Sequence, residues 1–190
     1  MIYCIHRSRD EKRLKELNIE LKKVDLKPVF IEPEEVKKTL KETNIFNKEM
    51  DSLRRTTIKI IEKAKKEKLP YVTIMEDDCK FNVDLYKNFE SKKLPDFDFI
   101  HLNVIGKEKY GLSLIDGVFR KFYGTCCQYY IVNNKVYDEY LQLLKDNLLP
   151  IDEITRYIQK KRRNSFAVEP FPIYHKRNKY STLKGKIVKY

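Results

Sequence analysis

Three consecutive acids, Glu76, Asp77 and Asp78, follow an apolar run at residues 72–75 and are the side chains best suited to chemistry. Adjacent carboxylates repel one another, so such a cluster at the end of a buried strand needs a cationic partner. Mg²⁺ and Mn²⁺ prefer oxygen ligands and bind one or two carboxylates together with phosphate and water. Side chains of an extended segment alternate, so Glu76 and Asp78 could share a face, one holding the cation while the other contacts ribose hydroxyls or metal-bound water. The alternative is a solvated acidic turn, with Asp77 or Asp78 capping the next helix.

These acids depend for their position on strands and helices that alternate along the first half of the chain. Apolar runs and helical spacing predict strands at residues 2–5, 28–31 and 71–75, with helices over residues 10–23 and from Asp51 or Ser52. This order is typical of an α/β fold with a mainly parallel central sheet covered by helices. Ligands of such sheets bind beyond the carboxyl ends of the strands, which is where the three acids lie.

The second half of the chain carries a less regular pattern. Residues 118–123 and 126–132 are predicted as two strands around Gly124, and apolar spacing predicts a helix over residues 136–144. Another helix is expected to begin at residues 150–153. The chain then ends in a basic, turn-rich tail.

The composition indicates a globular chain with a strongly basic surface. Of its 190 residues 42% are hydrophobic and 36% are charged, and the net charge is +12. This charge favours an anionic partner, which could be a nucleic acid, a membrane surface or a phosphorylated small molecule. The chain has no secretory signal and no run of about 20 apolar residues. We therefore expect a cytoplasmic protein that would meet a membrane only at its surface, and a bacterium or a large DNA virus both fit the composition.

Four blocks, in order, resemble the GT-A type of nucleotide-sugar glycosyltransferase. They are "IYCIHRSRDEKR" from residue 2, "YVTIMEDDCKF" from residue 71, "YGTCCQYYIVN" from residue 123 with a later "PIDE", and "YSTLKGKIVKY" from residue 180. Within that group they are similar to glycosyltransferase family 25, the lipooligosaccharide and collagen galactosyltransferase-like enzymes. The chain departs from that family in the helix before the acids, which lacks the family's frequent Gly-rich segment and histidine.

The resemblance implies an α/β, Rossmann-like GT-A domain over residues 1–190. Residues 1–103 or so would form a nucleotide-binding half, and residues from about 104 an acceptor half with the basic tail. The implied reaction moves a hexose, galactose or glucose, from a UDP-sugar to a glycan, lipid-linked or protein-linked hydroxyl with Mn²⁺ or Mg²⁺. That activity would serve lipopolysaccharide or glycan biosynthesis, with nucleotide sugar and acceptor as partners and with peripheral membrane contact, rather than nucleic acid.

The resemblance also assigns metal ligands. Asp78 is the first choice, followed by Glu76 and then Asp77, which could instead contact the donor. His175 is a further candidate, because GT-A enzymes often take a ligand from a histidine near the chain end. A lone histidine is more often only a hydrogen-bonded surface residue.

The remaining assignments concern the catalytic base and the donor nucleotide. Asp152 could take the proton of the acceptor hydroxyl, with Glu153 as the alternate, although an acid at a helix start also serves as a cap. The donor-binding candidates, which could equally be solvated surface charges, are His6, Arg7, Arg9, Lys176 and Lys184.

Two other classes stay open at this stage. The basic charge and the acidic cluster allow a metal-dependent nuclease or another nucleic-acid protein, although no recognised nucleic-acid motif appears. A non-catalytic nucleotide-sugar-binding domain with the same fold is the third reading.

Overall fold

The computed structural model describes residues 1–36, 47–104, 114–125, 128–175, 179–181 and 186–188. Its helices are α1 (Glu11–Lys23), α2 (Lys48–Lys66), α3 (Val83–Glu90), α4 (Tyr137–Asp146) and α5 (Ile151–Arg162), with a 3₁₀ turn at Asn134–Val136. Its strands are β1 (Ile2–Ile5), β2 (Val29–Ile31), β3 (Tyr71–Glu76), β4 (Cys79–Phe81), β5 (Phe99–His101), β6 (Leu114–Ile115), β7 (Phe119–Lys121), β8 (Tyr129–Asn133), β9 (Ser165–Val168), β10 (Ile173–His175), β11 (Lys179–Ser181) and β12 (Lys186–Val188).

Eight of these strands form one sheet in the order β2-β1-β3-β8-β5-β9-β7-β6. Strand β1 pairs in parallel with β2 and β3, and β5 pairs in parallel with β9, but the other four pairs are antiparallel. The prediction of a mainly parallel sheet is therefore wrong, while the mixed α/β class is confirmed. The reason is β8, which inserts between β3 and β5 in the opposite direction and so makes both of its pairings antiparallel.

Helices cover both faces of the sheet, because its central strands are apolar on both sides. On one face Tyr3, Ile74 and Tyr130 pack with apolar residues of α2, α4 and α5. On the other face their sequence neighbours Cys4 and Met75 pack with apolar residues of α1 and α3. This alternation follows from the two-residue period of a strand and holds the ends of β1 and β3 rigidly side by side.

Helix α2 begins at Lys48, three residues before the predicted cap. Asn47 caps it, since the Asn47 side chain accepts a hydrogen bond from the Met50 N–H at 3.0 Å. Asp51, which is only 1% exposed, instead accepts hydrogen bonds from the guanidinium groups of Arg54 and Arg55. Arg54 also donates to the carbonyl of Leu144, so this buried cluster joins α2 to the end of α4.

A separate two-stranded pairing borders the acidic turn. Strand β4 pairs antiparallel with β10, and this places the backbone of His175 opposite Cys79. Within the described part of the chain, none of the helices combines the length and the apolar character needed to cross a membrane.

Candidate functional site

The three acids lie at the carboxyl end of β3, beside the carboxyl end of β1. Glu76 is the last residue of β3 and is in register with Ile5, the last residue of β1. His6 therefore follows β1 at the same level at which Asp77 follows β3. Asp77 and Asp78 form the turn between β3 and β4. Ligands of α/β sheets bind beyond the carboxyl ends of parallel strands, so the sequence predicts a crevice at this point, where β1 and β3 both end.

Asp77 is held by side chains from β1 and α1. Its Oδ2 accepts a hydrogen bond from Nδ1 of His6 at 2.8 Å, and its Oδ1 accepts one from Nη1 of Arg13 at 2.7 Å. Burial opposes the charge of Arg13, but Asp77 and then Asp78 outweigh burial and raise the pKa of the guanidinium. Asp77 therefore joins the acidic turn to the start of α1.

Asp78 has a different environment, because its side chain turns toward β8. Its Oδ1 accepts a hydrogen bond from Nε2 of Gln128 at 2.9 Å, and Oε1 of Gln128 accepts one from Nδ2 of Asn103 at 3.2 Å. The backbone of Gln128 contributes as well, since its carbonyl accepts the Glu76 N–H at 2.8 Å. Asp78 thus accepts a hydrogen bond from the uncharged amide of Gln128, whereas Asp77 accepts hydrogen bonds from a histidine and an arginine.

Glu76 lies among like charges. Its pKa is raised well above the ordinary value, first by removal from water and then by repulsion from Asp78, Asp152 and Asp77. Asp152, at the start of α5, is therefore near enough to the end of β3 for its charge to act on Glu76. The acids also act on Cys4, whose thiol pKa is raised by burial and by their negative field. The turn therefore carries excess negative charge that a cation would relieve.

The two acids at the start of α5 are not equivalent. Asp152 acts on Glu76, whereas Glu153 forms an ion pair with Arg156 one turn along the helix. Neither acts as the helix cap, because α5 is capped by Pro150 without a side-chain hydrogen bond. Both acids still lie in the first turn, where the helix dipole favours negative charge.

A polar cavity of about 60 Å³ lies where β1, α1 and α2 meet the acids. Its lining residues include Arg7, Arg13, Glu49, Ser52 and Glu76, together with His6, Asp10, Asp77 and the apolar Ile5, Pro33 and Leu53. Arg7 therefore lines the cavity, while Arg9 is exposed and is not among its lining residues. The contact of Arg7 and Arg9 with a donor stays a prediction.

The other predicted residues come from the end of the chain. His175 follows Tyr174 in β10, and its backbone pairs with Cys79, the residue directly after Asp78. Lys176 and Lys184, predicted to contact the donor, lie outside the described residues.

A divalent cation fits this site only in part. Among the residues that the structure describes, no group of three or more histidine, cysteine or acidic side chains is arranged to hold a metal ion. Glu76 and Asp78 nevertheless provide hard oxygen atoms with an excess of negative charge. Mg²⁺ and Mn²⁺ often bind one or two carboxylates and complete their coordination with substrate phosphates and water. The chemistry of this donor set suits a cation that arrives with a phosphorylated ligand.

Sequence reasoning missed three residues that shape the site. No role was assigned from the sequence to Arg13, Gln128 or Asn103. For Arg13 a signal existed, because it lies in the first turns of the helix that follows the crevice-edge strand. No local signal marks Gln128 or Asn103, since their link to Asp78 depends on how β8 inserts into the sheet.

Comparison with known proteins supports the fold. A scan against protein-family models gives no match, and a search of curated proteins gives no relative. The chain is similar in structure to a glycosyltransferase involved in the glycosylation of the major capsid of PBCV-1. The TM-score is 0.52 with 14% sequence identity, covering 89% of this chain and 80% of that one.

A second similar structure is A197 from STIV, with a TM-score of 0.50, 11% identity, and coverage of 99% of this chain and 92% of that one. At these identities the likeness concerns the fold alone, which is a glycosyltransferase-like mixed α/β fold. Membership of glycosyltransferase family 25 stays a prediction.

Proposed function

We propose that this protein is a metal-dependent glycosyltransferase that moves a hexose, galactose or glucose, from a UDP-sugar to a hydroxyl of a glycan, lipid-linked or protein-linked acceptor. The observation that carries the proposal is the cluster of Glu76, Asp78 and Asp152 at the carboxyl end of β3, within a glycosyltransferase-like fold. A partly buried cluster of like charges costs stability, so it is expected where a cation and a reacting group need it.

In this proposal Asp78 and Glu76 would hold Mn²⁺ or Mg²⁺ together with the donor diphosphate, with His175 as a further ligand. When bound, the cation would stabilise the negative charge that develops on the leaving diphosphate. Arg7 lines the adjacent cavity with Arg13, and cationic side chains there favour an anionic donor. Asp77 is assigned to holding the turn, since His6 and Arg13 already bind its two oxygens.

Asp152 is the proposed catalytic base. It would take the proton of the acceptor hydroxyl while the acceptor oxygen bonds to the anomeric carbon and the bond from that carbon to the β-phosphate oxygen breaks. The diphosphate leaves with the bonding electron pair, and the configuration at the sugar inverts. Glu153 is the second choice, because Asp152 and not Glu153 is among the charges that raise the pKa of Glu76.

The experiment is calorimetric titration of UDP-glucose and UDP-galactose, with and without Mn²⁺, followed by assay of donor hydrolysis and transfer. We expect donor binding and turnover that require Mn²⁺. Asp78→Asn should abolish Mn²⁺ binding and, with it, the Mn²⁺-dependent donor binding and turnover. Asp152→Asn should lower turnover by about 10²–10⁴-fold with little change in donor binding, as loss of a general base does. Glu153→Gln is the matched control and should retain most of the activity.

Folded protein that binds no nucleotide sugar with Mn²⁺ would refute the proposal. Metal-dependent donor binding without hydrolysis or transfer over a broad acceptor panel would instead favour a non-catalytic nucleotide-sugar-binding domain. Tight, strongly salt-dependent binding of nucleic acid, in place of the donor, would favour the nucleic-acid class.

A further inference from the structure

Gln128, which immediately precedes β8, binds the acidic turn through both its backbone and its side chain. Its carbonyl accepts the backbone N–H of Glu76 at 2.8 Å and the thiol of Cys79 at 3.5 Å. Its side-chain Nε2 donates to Oδ1 of Asp78 at 2.9 Å. This one residue therefore fixes both the path of the turn and the direction of one carboxylate.

Asn103 sets the orientation of the Gln128 amide. Nδ2 of Asn103 donates to Oε1 of Gln128 at 3.2 Å, so the amide nitrogen of Gln128 must point toward Asp78. The two amides are buried, with exposures of 5% for Asn103 and 8% for Gln128. Because a buried amide that lost a partner would be costly, this orientation is held strongly.

The hydrogen bond from Gln128 matters because Asp78 and Glu76 repel one another, the charge of Asp78 being one cause of the raised pKa of Glu76. A cation shared by the two residues would need both carboxylates held in fixed positions. The hydrogen bond from Gln128 fixes Oδ1 of Asp78 without adding a charge that would compete with the cation.

We propose that Gln128, oriented by Asn103, is a positioning residue that holds Asp78 ready for the cation of the donor complex. This inference rests on the proposed function, because it gives Asp78 the role of metal ligand. Partners of this kind orient metal-binding side chains in many proteins, and their loss typically lowers metal affinity or activity by about 10–100-fold.

The test is Mn²⁺ titration of the full chain in the presence of UDP, comparing wild type with Gln128→Leu. Leucine approximates the volume of glutamine but donates no hydrogen bond. We expect the Kd for Mn²⁺ to rise by about 10–100-fold. Excess Mn²⁺ should restore donor hydrolysis, whereas general damage to the fold would not respond to the metal. Asn103→Ala should shift the Kd in the same direction by less, and it provides the measurement if Gln128→Leu does not fold.

Gln159→Leu is the matched control, because Gln159 is also a buried glutamine with two hydrogen bonds, to the Gly124 N–H and to His101. It should lower thermal stability without changing the Kd for Mn²⁺. Equal Mn²⁺ affinity in wild type and Gln128→Leu would overturn the positioning role and leave the proposed function standing. Equal weakening in Gln128→Leu and Gln159→Leu would also overturn it. A wild-type protein that binds UDP but no Mn²⁺ would overturn both proposals.

Discussion

Asp77 and Asp78 are adjacent acids of one turn, yet their different partners predict different effects of the same isosteric substitution, aspartate to asparagine, on stability and on Mn²⁺ binding. Asp77→Asn should destabilise the protein and leave the proposed metal site chemically complete. Asp78→Asn should leave stability nearly unchanged and remove Mn²⁺ binding. The contrast follows from what each carboxylate contacts, namely His6 and Arg13 for Asp77 and the amide of Gln128 for Asp78.

The stability that Asp77→Asn should lose follows from the two hydrogen bonds that Asp77 accepts, from His6 at 2.8 Å and from Arg13 at 2.7 Å. The Asp77 side chain that accepts them is only 8% exposed. The new amide has one acceptor oxygen, so it can satisfy His6 or Arg13 but directs N–H groups at the other. A hydrogen bond to a charged group contributes about 1.5–3 kcal/mol, and removing one partner of a buried pair costs about 3–5 kcal/mol. The Arg13 side chain is 23% exposed and can recover some hydration, so we expect the free energy of unfolding to fall by about 3 kcal/mol.

The measurement is thermal and urea unfolding of wild type, Asp77→Asn and Asp78→Asn, in EDTA so that no metal contributes. For a chain of this length ~3 kcal/mol corresponds to a Tm lowered by about 6–12 °C. Asp78→Asn retains an acceptor for Gln128 and relieves repulsion on Glu76, so its Tm should lie within a few degrees of wild type. Equal Tm values for the two variants, or a larger loss in Asp78→Asn, would refute this division of roles.

Two further variants test the electrostatics of the fold. Because the pKa of Glu76 is raised, the folded protein holds the Glu76 proton more tightly than the unfolded protein does. Glu76 therefore lowers stability increasingly as the pH rises above the ordinary pKa of a glutamate. Glu76→Gln should therefore raise the Tm in EDTA at pH 8, with a gain that disappears near pH ~4, and a gain equal at both pH values would contradict the cause. Arg54→Met should cost about 3–5 kcal/mol in urea unfolding, because it leaves buried Asp51 with a reduced set of partners. Lys65→Met is its control, since the ion pair of Lys65 with Asp138 is exposed and its loss should change stability by less than about 1 kcal/mol.

The elements of the first half could be predicted because their signals are local. The apolar run before the acids gave β3, the leucine spacing gave α1, and the order of elements placed Glu76 at a crevice, all of which agree with the structure. The start of α2 was placed too late because Asp51 resembles a cap in sequence. Its carboxylate is buried by Arg54 and Arg55, and Asn47 supplies the cap.

The sequence by itself determined that an acidic turn would end a buried strand of an α/β fold, since side-chain periodicity and charge require no knowledge of distant residues. The hydrogen-bond partners that distinguish Asp77 from Asp78 depend on the tertiary structure. His6 and Arg13 lie 71 and 64 positions before Asp77 along the chain, and Gln128 lies 50 positions after Asp78. Their contacts depend on the register of β1 with β3 and on the insertion of β8, which local patterns do not encode. Hydrogen bonds act over about 3 Å, so the proposed division between a structural and a metal-binding carboxylate could be made only when the folded chain brought those partners into place.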